Sequence, residues 1–219
     1  PVFDRRVFLK TCTNGSSELM TNLSMSLVNA LYNLQLMKIA GENGVAAYGA
    51  VMYVNFIFVA TFLGYAIGCA PVISYHYGAG NHAELKNLYK KSMSIILVWG
   101  VILFGAAQLL APVLSKIFVG YNTGLYAMTL HGFRVYAIAF LIIGINIFGS
   151  SFFTALNNGL ISAVISFLRT LMFQVIMVLT LPLWFGINGI WSAIGVAEAL
   201  TLIMTTIFFV RQKDKYHYL

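Results

Sequence analysis

The sequence predicts an all-α integral membrane protein built from six transmembrane helices. Hydrophobic residues make up 60% of the 219 and charged residues only 9%, with a mean hydropathy of +0.85. That leaves too little polar surface to clothe a soluble globule. Apolar runs recur at the length of about 20 residues that a helix needs to cross about 30 Å of hydrocarbon. They cover 16–40, 45–75, 92–118, 125–156, 160–185 and 187–210. Several breaks between them are short and rich in Gly and Asn, as connections between antiparallel neighbours should be.

Charge sets the orientation. The net charge is +7. Arg5, Arg6, Lys10, Lys86, Lys90, Lys91, Arg211, Lys213 and Lys215 fall on one side of a six-span chain, against Lys38 and Lys116 on the other. By the positive-inside tendency that side is cytoplasmic. The expectation is a multi-pass protein of the cell membrane, both ends of this segment cytoplasmic, with no nucleic-acid partner. Cys12 and Cys69 have no metal-ligand spacing and lie near that side, where thiols stay reduced. The first residue is Pro1 and no cleavable signal precedes the first span, so the chain is expected to begin inside a longer gene product.

Residues 1–13 alternate basic and apolar side chains and read as a cytoplasmic linker or interfacial segment. The six-helix lobe is expected over 14–210. Its first span is more polar than a lipid-facing helix should be: Glu18, Asn22, Ser26, Asn29 and Asn33 recur every three or four residues and share one face. Such a seam either bonds to neighbouring helices or lines a water-accessible cavity, and five polar positions exceed what packing requires. The Gly41–Gly44 turn makes spans one and two antiparallel. In span two, Gly64 and Gly68 form a close-packing motif and Pro71 predicts a bend. A capping box, Asn81 with Glu84, opens an amphipathic interfacial elbow over 81–92.

The third span has Gln108 as its interior polar group. The fourth carries His131 and Arg134 near one end and Asn146, Ser150, Ser151, Thr154 and Asn157 toward the other, giving Asn146 and Ser150 as further cavity-lining candidates. Arg169 in the fifth span and Glu198 in the sixth lie at depths that differ by about 5 Å. An unpaired charge there costs at least several kcal/mol, so the two are expected to form an intramembrane ion pair. Glu198 is either a structural partner or a titratable coupling carboxylate. Residues 211–219 read as a basic cytoplasmic tail. There is no HExxH, nucleophile–base pair or phosphate loop to suggest an enzyme.

Several of these residues resemble a known family. Ala46-Ala-Tyr-Gly49 after a glycine turn, the run from Gly64 to Asn81, the basic elbow, and Arg169 leading into Gly189-Ile-Trp191 and Ala197-Glu198 look like the second half of a multidrug and toxic compound extrusion (MATE) transporter. The resemblance implies one lobe of a twelve-helix, two-lobe transporter. It implies antiport of cationic or amphipathic organic compounds in exchange for Na+ or H+, with no other cofactor. The partners it implies are small organic cations, the lipid bilayer and an N-terminal six-helix lobe. One branch of the family uses acids in the middle of spans seven and ten; here the tenth-equivalent span has none and the seventh has only Glu18 near its end. Glu18 and Glu198 are therefore the ion-coupling candidates, with Na+ and H+ both open. Two rival readings are a lipid-linked saccharide flippase of the related superfamily, which would use His131, Arg134 and Arg169, and a non-transporting membrane scaffold or half-transporter remnant.

Overall fold

The computed structural model describes residues 5–219, with the side chains of residues 6, 7, 10 and 13–21 left aside. The first helical stretch, Arg5–Gly78, is broken at Gly41, whose backbone (φ 62°, ψ −153°) is one that glycine adopts without a Cβ clash. It is therefore two helices, α1 (5–40) and α2 (42–78). They fold back on each other: the rings of Tyr32 and Tyr48 stack at 5.0 Å. Gly44 lies so close beneath the end of α1 that a Cβ there would meet Ala40 Cβ at 2.7 Å and Leu36 O at 3.2 Å.

Four further helices follow. These are α3 (His82–Val119), α4 (Thr123–Ala137 continued by Phe140–Ala155), α5 (Gly159–Phe185) and α6 (Ile187–Tyr216). By length and apolar composition four helical stretches among the described residues can cross a membrane, five with the bent α4 counted as one span, and the first of them, 22–78, is divided at Gly41 to give six helices in all. The ends of the bundle alternate, so the 78–82 and 155–159 turns and the end of α6 share one end. Most of the lysines and arginines cluster there, and it is called the basic end below.

Local structure departs from expectation in four places. Residues 5–13 are the opening turns of α1 itself; residues 1–4 lie outside the described chain. The elbow is not a separate helix, because residues 82–92 are the opening turns of an unbroken α3, capped by Asn81 Oδ1 accepting from the Glu84 amide at 3.1 Å. The α4 span bends by 48° without a proline. At the bend the amides of Ile138, Ala139, Leu141 and Ile142 reach carbonyls three residues back, a tightened turn. Gly100 of α3 makes room for it, since a Cβ there would lie 3.1 Å from Phe140 O. Residues 211–216 continue α6 rather than forming a tail, and His217 (φ 54°) turns the chain back.

That reversal buries Tyr218 completely among Tyr89, Phe152, Phe153 and Phe209, with its hydroxyl donating to Phe209 O at 2.8 Å. Burial raises the Tyr218 phenol above its ordinary pKa, so it stays a neutral donor. Gly64 and Gly68 meet nothing within 4 Å, so the expected close-packing face of α2 is open within this chain. The close approaches lie on α4 instead, where a Cβ on Gly132 would strike the Trp191 ring at 2.5 Å and one on Gly149 would strike Thr205 at 2.5 Å. The second half of α4 is the axis of the lobe: residues 143–149 are all buried.

Candidate functional site

Two polar regions stand out from this apolar frame, one at the surface and one at the centre. The surface region is the seam of α1. Asn22, Ser26, Asn29 and Asn33 are all exposed, while Ser24, Val28, Tyr32 and Leu36 on the adjoining face are buried. Packing against α2 therefore left the seam out, together with the apolar Leu23, Leu27, Leu34 and Met37 of the same helix. Asn29 Oδ1 accepts from the Tyr48 hydroxyl at 3.0 Å; the other three make no side-chain bond to a described residue. The Glu18 side chain lies outside the described residues.

The central region joins three helices. Glu198 of α6 is 1% exposed and Arg169 of α5 15% exposed, and Arg169 Nε stands 2.9 Å from Glu198 Oε1, the only ion pair among the described residues. Asn146 of α4 donates from Nδ2 to Glu198 Oε2 at 2.7 Å and to the Glu198 carbonyl at 2.9 Å, and its Oδ1 accepts from the Thr205 hydroxyl at 3.1 Å. Each carboxylate oxygen thus faces a donor, the condition under which a buried ion pair is tolerated. Arg169 reaches inward from a π-helical turn, Leu168–Met172. The extra residue in that turn shifts the phase of α5, so Ser162 and Ser166 face Ser150 of α4 while Arg169 faces α6. Tyr32 and Tyr136 are buried within electrostatic reach of Glu198, with Tyr48 beside both. The Tyr32 hydroxyl and the Trp191 indole N–H are buried without a partner among the described residues.

The structure brings Arg169 and Glu198 together, as their matched depth implied. It does not bring the two halves of the expected cavity lining together. Asn146 is 0% exposed and Ser150 half-buried, both consumed by contacts within the lobe, so neither lines the open face that α1 presents. The physical reason is that a polar group buried in an apolar core gains by pairing, and the facing α5 and α6 supplied partners to both. Of the cations on α4, His131 Nε2 sits 2.8 Å from Asn188 Oδ1, whereas Arg134 is exposed. A separate cleft of about 260 Å³ between α2 and α3, lined by Thr61, Phe62, Tyr65, Ile95, Ile96 and Trp99, lies on neither polar region.

Sequence reasoning missed Ser162, Ser166, Thr170, Thr201 and Thr205. The signal was present on α5, where Asn158, Ser162, Ser166 and Thr170 repeat every fourth residue and match Asn146, Ser150 and Thr154 on α4.

The family model that matches the chain is MatE, over residues 19–180. No curated protein matches it. Among solved structures, MATE in complex with MaL6 superposes with a TM-score of 0.90 at 19% identity, covering 100% of this chain and 49% of that one. An outward-facing multidrug resistance MATE family transporter of the MOP superfamily gives 0.88 at 20% identity, covering 98% and 48%. A MOP superfamily transporter from Pyrococcus furiosus, described as having a binding pocket of reverse polarity, gives 0.87 at 20% identity, covering 97% and 48%. The chain spans about half the length of these structures. At such identities the superpositions speak for the fold, but the family match runs over most of the sequence, from the seam helix through the π-turn of α5. The chain belongs to the MatE family, and its six helices have the fold of one half of a MATE transporter.

Proposed function

We propose that this chain is half of a secondary active transporter of the cell membrane, its basic end in the cytoplasm, which exports cationic or amphipathic organic compounds in exchange for Na+ or H+. The observation that carries this reading is the exposure of Asn22, Ser26, Asn29 and Asn33 in one row on α1. An amide turned toward hydrocarbon without a partner costs several kcal/mol, so the row belongs against water, solute or a second lobe. A second six-helix lobe facing α1 would enclose a wet cavity there, as transporter sites commonly form where two repeats meet. Glu198 is the exchange carboxylate in this reading, neutralised by Arg169 when the coupling ion is away.

The test uses the full-length protein in proteoliposomes, with ethidium efflux driven separately by sodium and by proton gradients. Replacing Asn29 and Asn33 together by Leu is expected to abolish efflux, and unchanged efflux removes the seam from the pathway. The flippase reading would use three cations. Two are engaged elsewhere in the lobe, Arg169 by Glu198 and His131 by Asn188, which leaves Arg134 alone.

A further inference from the structure

The contact between α4 and α5 carries a run of hydroxyls that the seam does not use. Thr154 Oγ1 lies 2.6 Å from Ser162 Oγ, Ser162 Oγ 2.9 Å from Ser150 Oγ, and Ser150 Oγ 2.8 Å from Ser166 Oγ. Thr154 is half-buried one residue before α4 ends at the basic end, whereas Ser162 and Ser166 are buried. Beyond them, the next polar group on α4 is Asn146, one helical turn or about 6 Å further in, and it donates to Glu198 Oε2 at 2.7 Å. One such bond is enough to hold two helices in register, contributing about 0.6–1.7 kcal/mol. Four linked hydroxyls leading from the basic end toward Glu198, the one buried carboxylate among the described residues, are more than register requires.

We propose that the Thr154–Ser162–Ser150–Ser166 chain conducts protons between water at the basic end and Glu198, and hence that the coupling ion is the proton. This rests on Glu198 being the exchange carboxylate. Ser162 Oγ and Thr154 Oγ1 also face Ser150 O, at 2.7 and 3.1 Å, so each hydroxyl takes a proton at a lone pair and releases its own by turning its O–H from the carbonyl to the next hydroxyl, with no heavy atom moving. Only O–H bonds break and form: one proton leaves hydronium at the basic end and one arrives on Glu198, with a single water spanning the last turn. The carboxylate becomes a carboxylic acid and lets go of the Arg169 guanidinium.

The groups that face Glu198 favour a proton over Na+. Arg169 from α5 places a positive charge 2.9 Å from one oxygen, and Asn146 from α4 places an amide donor 2.7 Å from the other. The remaining titratable neighbours are the phenols of Tyr32 on α1 and Tyr136 on α4, with Tyr48 of α2 next to them. A metal ion would need a cage of oxygens where the structure supplies donors and a cation. A proton needs one lone pair.

The test is proton-driven ethidium exchange by the full-length protein in proteoliposomes, with internal pH followed by pyranine and ethidium binding measured at equilibrium. The double variant Ser150→Ala/Ser162→Ala is expected to slow proton-coupled exchange by about 100-fold, the low end of what a positioned proton-transfer group contributes. Ethidium binding should not change. Ser150→Thr/Ser162→Thr, which keeps both hydroxyls, should restore the rate, as packing alone would not. If the alanine pair fails to fold, Thr154→Val removes one hydroxyl at constant shape and should slow the same step. Exchange at the wild-type rate in the alanine or valine variant overturns the conduction route while leaving Glu198 in place. Normal proton-driven exchange by Glu198→Gln removes the carboxylate reading itself, and efflux that follows only a sodium gradient removes the proton assignment.

Discussion

Replacing Arg169 by Met gives the sharpest check on the central network. The change leaves Glu198, 1% exposed, facing only the Asn146 amide, while the shorter, apolar Met side chain follows the arginine stem without supplying a charge. A carboxylate stripped of its partner in such a place keeps its desolvation cost with no cation to offset it. Removing one partner of a buried pair costs about 3–5 kcal/mol, and Arg169→Met should destabilise the protein by about that much. The double variant Arg169→Met/Glu198→Gln, with no charge left to bury, should recover most of the loss. The assay is unfolding by SDS titration in mixed micelles, followed by helical circular dichroism. A loss below about 1 kcal/mol in the single variant, or a double variant no more stable than the single one, would refute the reasoning.

Three further outcomes follow from the packing. Gly41→Ala forces a Cβ into the left-handed backbone that ends α1, and should cost about 1–3 kcal/mol in the same titration. Gly132→Ala drives a methyl into the Trp191 ring, so it should lower stability by about 1–3 kcal/mol and shift tryptophan emission. Tyr218→Phe loses only the bond to Phe209 O and should cost about 1 kcal/mol, whereas Tyr218→Ala empties a fully buried site and should cost about 3–5 kcal/mol by thermal melting.

Hydrocarbon is so uniform a solvent that sequence alone determines much about a chain that lives in it. Span number, antiparallel order and the clustering of basic residues at one end follow from run length and charge, because a helix is the solution for an isolated segment without water. The Arg169–Glu198 pair was legible for the same reason, since two opposite charges at matched depth have nowhere better to go. What sequence could not supply is which side of each helix meets which neighbour. Asn146 and Ser150 have the same composition as the seam of α1, yet α5 and α6 offer them partners and the seam has almost none, so one set is structural interior and the other is open surface. Nor does any residue type announce the 48° bend of α4 or the π-turn that aims Arg169. The first is made where Gly100 lets α3 approach the α4 backbone. The second adds one residue to a turn of α5, and only packing in three dimensions selects either.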